Sequence, residues 1–182
     1  MNTWIALFRG INVVGRNLLP MKELVAVLET LGCEDVRTYI QSGNAVFRHP
    51  DRDPSQLAEK MRVAIGVSHG FAPAVLLLSA RRLERAIDAN PFQAAEIDPS
   101  KLHLFFLVRV PDNPNFDALD AATASSERYV LDGDIVYLHA PEGIGRSKFA
   151  AGLERALGVP ATGRNWRTVT RVFGMARPLK GE

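Results

Sequence analysis

Apolar residues recur along this chain at two periods, and the switches between them mark out its elements. Thr3 to Arg9 (TWIALFR) is a run of β-formers stopped by Gly10, which predicts a buried first strand. Met21, Leu24, Leu28 and Leu31 then repeat at three- and four-residue spacing behind Pro20 and ahead of Gly32. That is the pattern of a helix with proline near its first position and glycine just past its end. Asp35 to Gln41 and Asn44 to Arg48 read as two strands around Ser42-Gly43, a hairpin with a short turn or bulge. Asp53-Pro54 opens a second helix carrying Leu57, Met61 and Ile65 on one face, and Ala74 to Leu78 is another strand.

From Ser79, a suitable helix cap, a third helix runs through Leu83 and Ile87 and stops before Asn90-Pro91. Lys101 to Val110 is the strongest strand signal, and Phe116 and Leu119 belong to a helix opened near Pro114. Arg128 to Leu131 faces Asp134 to His139 across Asp132-Gly133, a favoured hairpin dipeptide. A fifth helix covers Ser147 to Leu157, a closing strand covers Val159 to Thr162, and Trp166, Val169 and Phe173 mark a sixth helix. The tail from Met175 to Glu182 has no strong apolar period and is expected to fray. The order β-α-β-β-α-β thus occurs twice. It predicts an α+β fold of two ferredoxin-like units in tandem plus a C-terminal helix, divided as 1–78, 79–162 and 163–182. The halves share element order more than letters, and one continuous mixed sheet is the alternative.

Composition narrows the class. The chain has 182 residues, 47% of them hydrophobic, and a net charge of +2. A chain of that length buries roughly 70% of its unfolded surface and needs no staples. No apolar run approaches the ~20 residues of a membrane span, and no basic stretch precedes the first apolar run as in a signal peptide. Cys33 is the only cysteine, so there is no disulfide within the chain and no cysteine-rich metal site; a cytoplasmic location is the expectation.

The charge that matters is local. Four segments, Arg9–Asn17 (RGINVVGRN), Gln41–Phe47 (QSGNAVF), Gly143–Lys148 (GIGRSK) and Ala161–Arg171 (ATGRNWRTVTR), contain seven Lys or Arg residues and no Asp or Glu. Average composition would place roughly three to four acidic residues there. Arginine forks beside glycine, asparagine and serine suit a phosphate or carboxylate, which points to anion binding. The first segment lies between a strand and a helix start, where backbone N–H groups face outward, but it matches neither the P-loop nor the dinucleotide fingerprint. In GIGRSK, Ser147 is a plausible N-cap, and Arg146 and Lys148 then oppose the helix dipole unless an anion sits there. In the last segment Arg164, Arg167 and Arg171 share a helical stripe if Asn165 starts the helix, while Trp166 belongs to the core-facing stripe. Each segment also has a plain reading as a solvated cap, connection or hairpin turn.

Conventional catalytic sets are missing. His49, His69, His103 and His139 are scattered, no metal-ligand spacing is present, and Cys33 follows the helix-closing Gly32, where a small buried side chain suits. No cofactor or metal is expected, the sequence identifies no catalytic residue, and whether the protein is an enzyme stays open.

Together, RGINVVGRN, TYIQSGNAVF, GIGRSKF and TGRNWRTV resemble the signature of a bacterial family known only as domain of unknown function 1697, from about Trp4 to Phe173. The resemblance rests on Arg9-Gly10-Ile11-Asn12-Val13, Ser42-Gly43-Asn44, Ser147-Lys148, Arg164-Asn165-Trp166 and Thr168. Val14 stands where the family often has glycine, and Gly163 where it commonly has threonine or a similar residue. The resemblance implies the duplicated ferredoxin-like fold and supplies no reaction.

The expectation is a phosphate-bearing ligand, a small anion or nucleotide with nucleic acid possible, held where the four motifs converge. Arg9, Arg146, Lys148 and Arg164 would meet the charge, with Asn12, Ser42, Asn44, Ser147 and Asn165 completing the site. The alternatives are a transferase acting on an anionic substrate, with these groups stabilising transition-state charge, and a surface for a protein partner. No membrane partner is expected, and the oligomeric state is left open.

Overall fold

The structure, a computed structural model, describes residues Met1 to Arg177. Its elements follow the order β1 (Asn2–Arg9), α1 (Met21–Thr30), β2 (Glu34–Tyr39), β3 (Asn44–His49), α2 (Pro54–His69), β4 (Ala74–Ser79) and α3 (Ala80–Asp88). Then come β5 (Leu102–Leu107), α4 (Phe116–Ala122), β6 (Arg128–Asp132), β7 (Ile135–His139), α5 (Lys148–Leu157), β8 (Ala161–Asn165) and α6 (Trp166–Ala176). The strands form two separate four-stranded sheets, ordered β2-β3-β1-β4 and β6-β7-β5-β8, which rules out the single continuous sheet. Every pairing is antiparallel. The same strand order with a helix at the same two connections occurs in both sheets, so the duplication read from element order is present in the topology.

Two compact units result: Met1–Arg85 with the chain from Arg171 onward, and Ala86–Thr170. In the first, alternate strand residues Trp4, Ala6, Phe8, Ala45 and Phe47 pack with Leu24 and Leu28 of α1 and with Leu57, Met61 and Ile65 of α2. The intervening Ile5, Leu7, Val46 and Leu78 are buried too, so both faces of this sheet are covered. In the second, Phe105, Leu107, Val136 and Leu138 pack with Leu119 of α4 and with Phe149, Leu153 and Leu157 of α5. Each such side chain contributes about 1.5–3 kcal/mol when withdrawn from water.

Local chemistry sets the helix ends. Gly32 takes φ +84. Its N–H reaches the Glu29 carbonyl while Cys33 N–H reaches Leu28, so α1 closes in a Schellman motif. Asp53 caps α2 by accepting from the Ser55 and Gln56 N–H groups, and Ser79 Oγ accepts from Arg82 N–H in the first turn of α3.

Four boundaries differ from the sequence reading. Pro20 precedes α1 and does not enter it. The second hairpin pairs Asp132 with Ile135, which makes Gly133-Asp134 the two-residue turn in place of Asp132-Gly133. The last strand begins at Ala161 and continues through Asn165, because Arg164 and Asn165 pair with Leu104 and His103 of β5. Arg164 and Asn165 are therefore strand residues, and the helical stripe with Arg167 and Arg171 breaks at its first member. The final helix runs on through Met175 and Ala176, where Ala176 is buried, so the expected fraying does not begin at Met175. The remainder of the tail, residues 178–182, lies outside the described residues.

Candidate functional site

In the first unit, two of the motifs meet. The Arg9–Pro20 loop folds into a miniature hairpin: Val13 and Arg16 exchange backbone hydrogen bonds of 3.2 and 2.9 Å, and Asn12 N–H donates to Asn17 O. The Asn12 side chain then ties this loop to the β2–β3 turn. Its Nδ2 donates to Leu19 O (3.0 Å) and Gln41 O (2.9 Å), and its Oδ1 accepts from Leu19 N–H (2.8 Å). Below them Phe8 N–H donates to Gly43 O. Gly43 sits at φ +80 where a Cβ would come within 2.6 Å of Ile11 Cδ1 and 2.8 Å of Phe8 Cβ, so only glycine fits without displacement. Asn44 is fully buried and donates from Nδ2 to Tyr39 O and Ser42 Oγ. Arg9 and Arg16 are exposed on this joined loop and turn, whereas the amides of Asn12 and Asn44 are engaged inside it.

In the second unit, strand register brings the other two motifs to one end of the sheet. Leu102 is opposite His139, and His103 is opposite Asn165. The start of β5, the end of β7 and the end of β8 are therefore level, and α5 and α6 begin from this end. Ser147 is buried and caps α5, its Oγ accepting from Ala150 N–H at 3.1 Å. Arg146 and Lys148 on either side of it are exposed. Asn165 Oδ1 accepts from Thr168 N–H at 2.9 Å and so shapes the start of α6.

Arg164 is half-buried, and Nη1 donates to the Gly163 carbonyl at 2.8 Å. Burial pushes its guanidinium down to about 10, far below the ordinary arginine value, since the charged form loses hydration. Lys101 joins this end, its Nζ 3.8 Å from where a Gly143 Cβ would stand. No local motif pointed to Lys101; it arrives because its carbonyl accepts from Ala140 N–H after β7. Asp98 is a carboxylate near Lys101 and Arg167, held below the usual range by the Ser100 hydroxyl and N–H, with smaller pulls from those two cations.

The motif pairs are not copies of one another within the repeat. The RGIN loop follows the first strand of its unit and the SGN turn joins the second and third, whereas GRSK follows the third strand of its unit and RN closes the fourth.

Other chemistry-bearing groups have structural work. Burial pushes the Cys33 thiol up to about 12, which leaves it a poor nucleophile. His49 bonds the Leu31 carbonyl and Asp51 N–H. His69 bridges Ser68 and Glu23, joining the end of α2 to the start of α1. His103 is buried, and burial lowers its pKa. Among the described residues no group of three His, Cys, Asp or Glu side chains could hold a metal, and no helix is long and apolar enough to cross a membrane.

A family model described as a protein of unknown function (DUF1697) matches residues 1–137. That span contains the joined RGIN loop and SGN turn and ends before GRSK and RNW. Among solved structures, the conserved bacterial protein SP0830 from Streptococcus pneumoniae is similar, with a TM-score of 0.68 and 26% identity over 97% of this chain and 99% of that chain. No curated protein matches the chain.

Proposed function

We propose that this chain, which belongs to the DUF1697 family of proteins of unknown function, binds a compact phosphate-bearing ligand at the cationic end of its second unit. Arg146, Lys148 and Arg164 meet the phosphate, with Lys101 alongside. The observation that carries this reading is Arg164: a guanidinium withdrawn from water near the end of β8, the end of the sheet from which α5 and α6 begin with no acidic residue in their first turns. An anion there offsets the unfavourable placement of Lys148 at the positive end of α5, and a guanidinium fork suits its oxygens. Ser147 and Asn165 shape the helix starts. Arg9 and Ser42 form a second candidate contact in the first unit, on the frame held by Asn12 and Asn44. Both sheet orders support reading each unit as ferredoxin-like, and the lone buried Cys33 suits a reducing compartment, the cytoplasm.

The test is a thermal-shift series with inorganic phosphate, mononucleotides and short oligonucleotides. A ligand at 100 times its Kd adds about 2.7 kcal/mol of stability. Arg164→Ala is expected to weaken that ligand by about 1.5–3 kcal/mol, the range of a charge-assisted hydrogen bond. A compact ligand also gives a shallow salt dependence, against a slope near −0.9 per phosphate contacted on duplex DNA. No shift with any of these ligands, or equal shifts in wild type and Arg164→Ala, would refute the site; a steep slope with oligonucleotides alone would replace it with a nucleic-acid surface.

A further inference from the structure

The outer strand β6 reads Arg128-Tyr129-Val130-Leu131-Asp132, and it ends the second sheet. The hydrogen-bonding parity of that sheet can be followed across it. Leu107 N–H donates to Asp134 O and Ala140 N–H donates to Lys101 O, so Asp134, Val136, Leu138 and Ala140 direct their backbone groups toward β5. Ile135, Tyr137 and His139 therefore direct theirs toward β6, where they meet Asp132, Val130 and Arg128. What remains outward is the backbone N–H and C=O of Tyr129 and Leu131.

Such an edge is a template for another strand, and proteins usually blunt it. The outer strand β2 of the first sheet is blunted: Asp35 has φ +52 and the register slips between Glu34 and Arg37. Nothing comparable interrupts β6, which pairs without a break from Arg128 to Asp132. Arg128 folds back onto the Ser125 and Glu127 carbonyls ahead of the ladder, which leaves the groups of Tyr129 and Leu131 uncovered by it. Tyr129 is pinned inward, its hydroxyl 2.6 Å from Asp120 and its ring 4.6 Å from that of Phe149.

From this edge we infer that two copies of the chain associate through β6 in a twofold antiparallel pairing centred on Val130. The strand is complementary to itself in that register alone. Tyr129 meets Leu131 of the partner subunit with their outward N–H and C=O groups in bonding phase, while the exposed Val130 meets Val130 of the partner subunit. Arg128 meets Asp132 of the partner subunit, twice over by symmetry. The Arg128 fork is already aimed, because Nη1 donates to Ser125 O and Glu127 O and leaves Nη2 and Nε for the carboxylate. The two four-stranded sheets would become one of eight strands. A five-residue ladder covers less than the ~1,200–2,000 Å² of a stable interface, so this dimer is weak and concentration-dependent.

Sedimentation velocity on the full chain from about 10 µM to 1 mM tests it. Wild type is expected to shift from monomer to dimer across that range. Asp132→Arg sets like charges against Arg128, and Arg128→Asp sets them against Asp132, so each alone should weaken the dimer at least about tenfold. An equimolar mixture of the two variants restores opposite charges across every pair and should recover dimer. Val130→Cys should oxidise to a disulfide-linked dimer, since the pairing puts these positions face to face. A wild-type monomer at 1 mM, charge reversals without effect, a mixture that does not recover dimer, or no disulfide with Val130→Cys would each overturn the inference.

Discussion

Val14 offers the most direct test of how backbone conformation sets stability in this fold. Val13 and Arg16 are bridged, which makes Val14-Gly15 a two-residue turn, and both residues have positive φ, +43 and +75. That pair of angles belongs to a type I′ turn, where asparagine followed by glycine is favoured. An L-residue in the left-handed region loses about 1–2 kcal/mol, and a β-branched side chain is among the worst suited to it. Val14 is 96% exposed, so its replacement forfeits almost no burial. Val14→Asn should therefore stabilise the protein by about 1 kcal/mol, which corresponds to roughly 2–4 °C in Tm for a chain of this size. Val14→Gly should gain less, because glycine relieves the clash but adds about 0.5–1 kcal/mol of unfolded-chain entropy to be lost. Urea unfolding and calorimetry on the three proteins measure both. If Val14→Asn is no more stable than wild type with an unchanged m-value, the strain is not there and the argument from φ is wrong.

Two further substitutions test packing and linkage. Gly163 is paired directly with Phe105, and an added Cβ would lie 2.8 and 2.9 Å from its ring carbons. Gly163→Ala should cost about 1–3 kcal/mol by overpacking, and Phe105→Leu should absorb much of that loss in a double-mutant cycle; additive losses would show that the ring is not the obstacle. Burial lowers the pKa of His103 from its ordinary 6.5, against a smaller upward pull from the Lys101 backbone. The folded state thus favours neutral His103, so this contribution is whole above the ordinary value and is lost as pH falls toward the depressed one. His103→Leu should cost little at neutral pH, since Nδ1 has no hydrogen-bond partner among the described residues, and should flatten the fall in urea midpoint between about pH 7 and pH 5. An unchanged fall would assign that slope to other groups.

The element order was legible in sequence because each signal was local. Leu57, Met61 and Ile65 stand on one face of α2 whatever lies around them, and Asp53, Ser147 and Gly32 act within one turn of their own helices. The β8–α6 boundary was not legible. Arg164 and Asn165 are extended because they pair with β5, some sixty residues earlier, and nothing within ATGRNW announces that partner. Lys101 escaped for the same reason. Gly163 likewise carries a meaning visible only across the sheet, in the Phe105 ring that covers it.

The candidate site divides along a related line. Asparagine, serine and glycine beside arginine suggest an anion contact, but the same residues are what a chain uses to build turns and caps. The Asn12 side chain makes two hydrogen bonds to Leu19 in its own loop and one that ties the loop to Gln41, Asn44 is sealed beneath the turn, and Ser147 and Asn165 satisfy helix N–H groups. These four explain themselves as structure. The cations do not divide the same way, since a turn or cap has no use for a positive charge and Lys148 at the start of α5 is mildly unfavourable there. The lack of Asp and Glu in the segments that carry Arg146, Lys148 and Arg164 is thus the part of the motif that local structure leaves over. It is on those three side chains, and not on the asparagines, that a binding measurement has to fall.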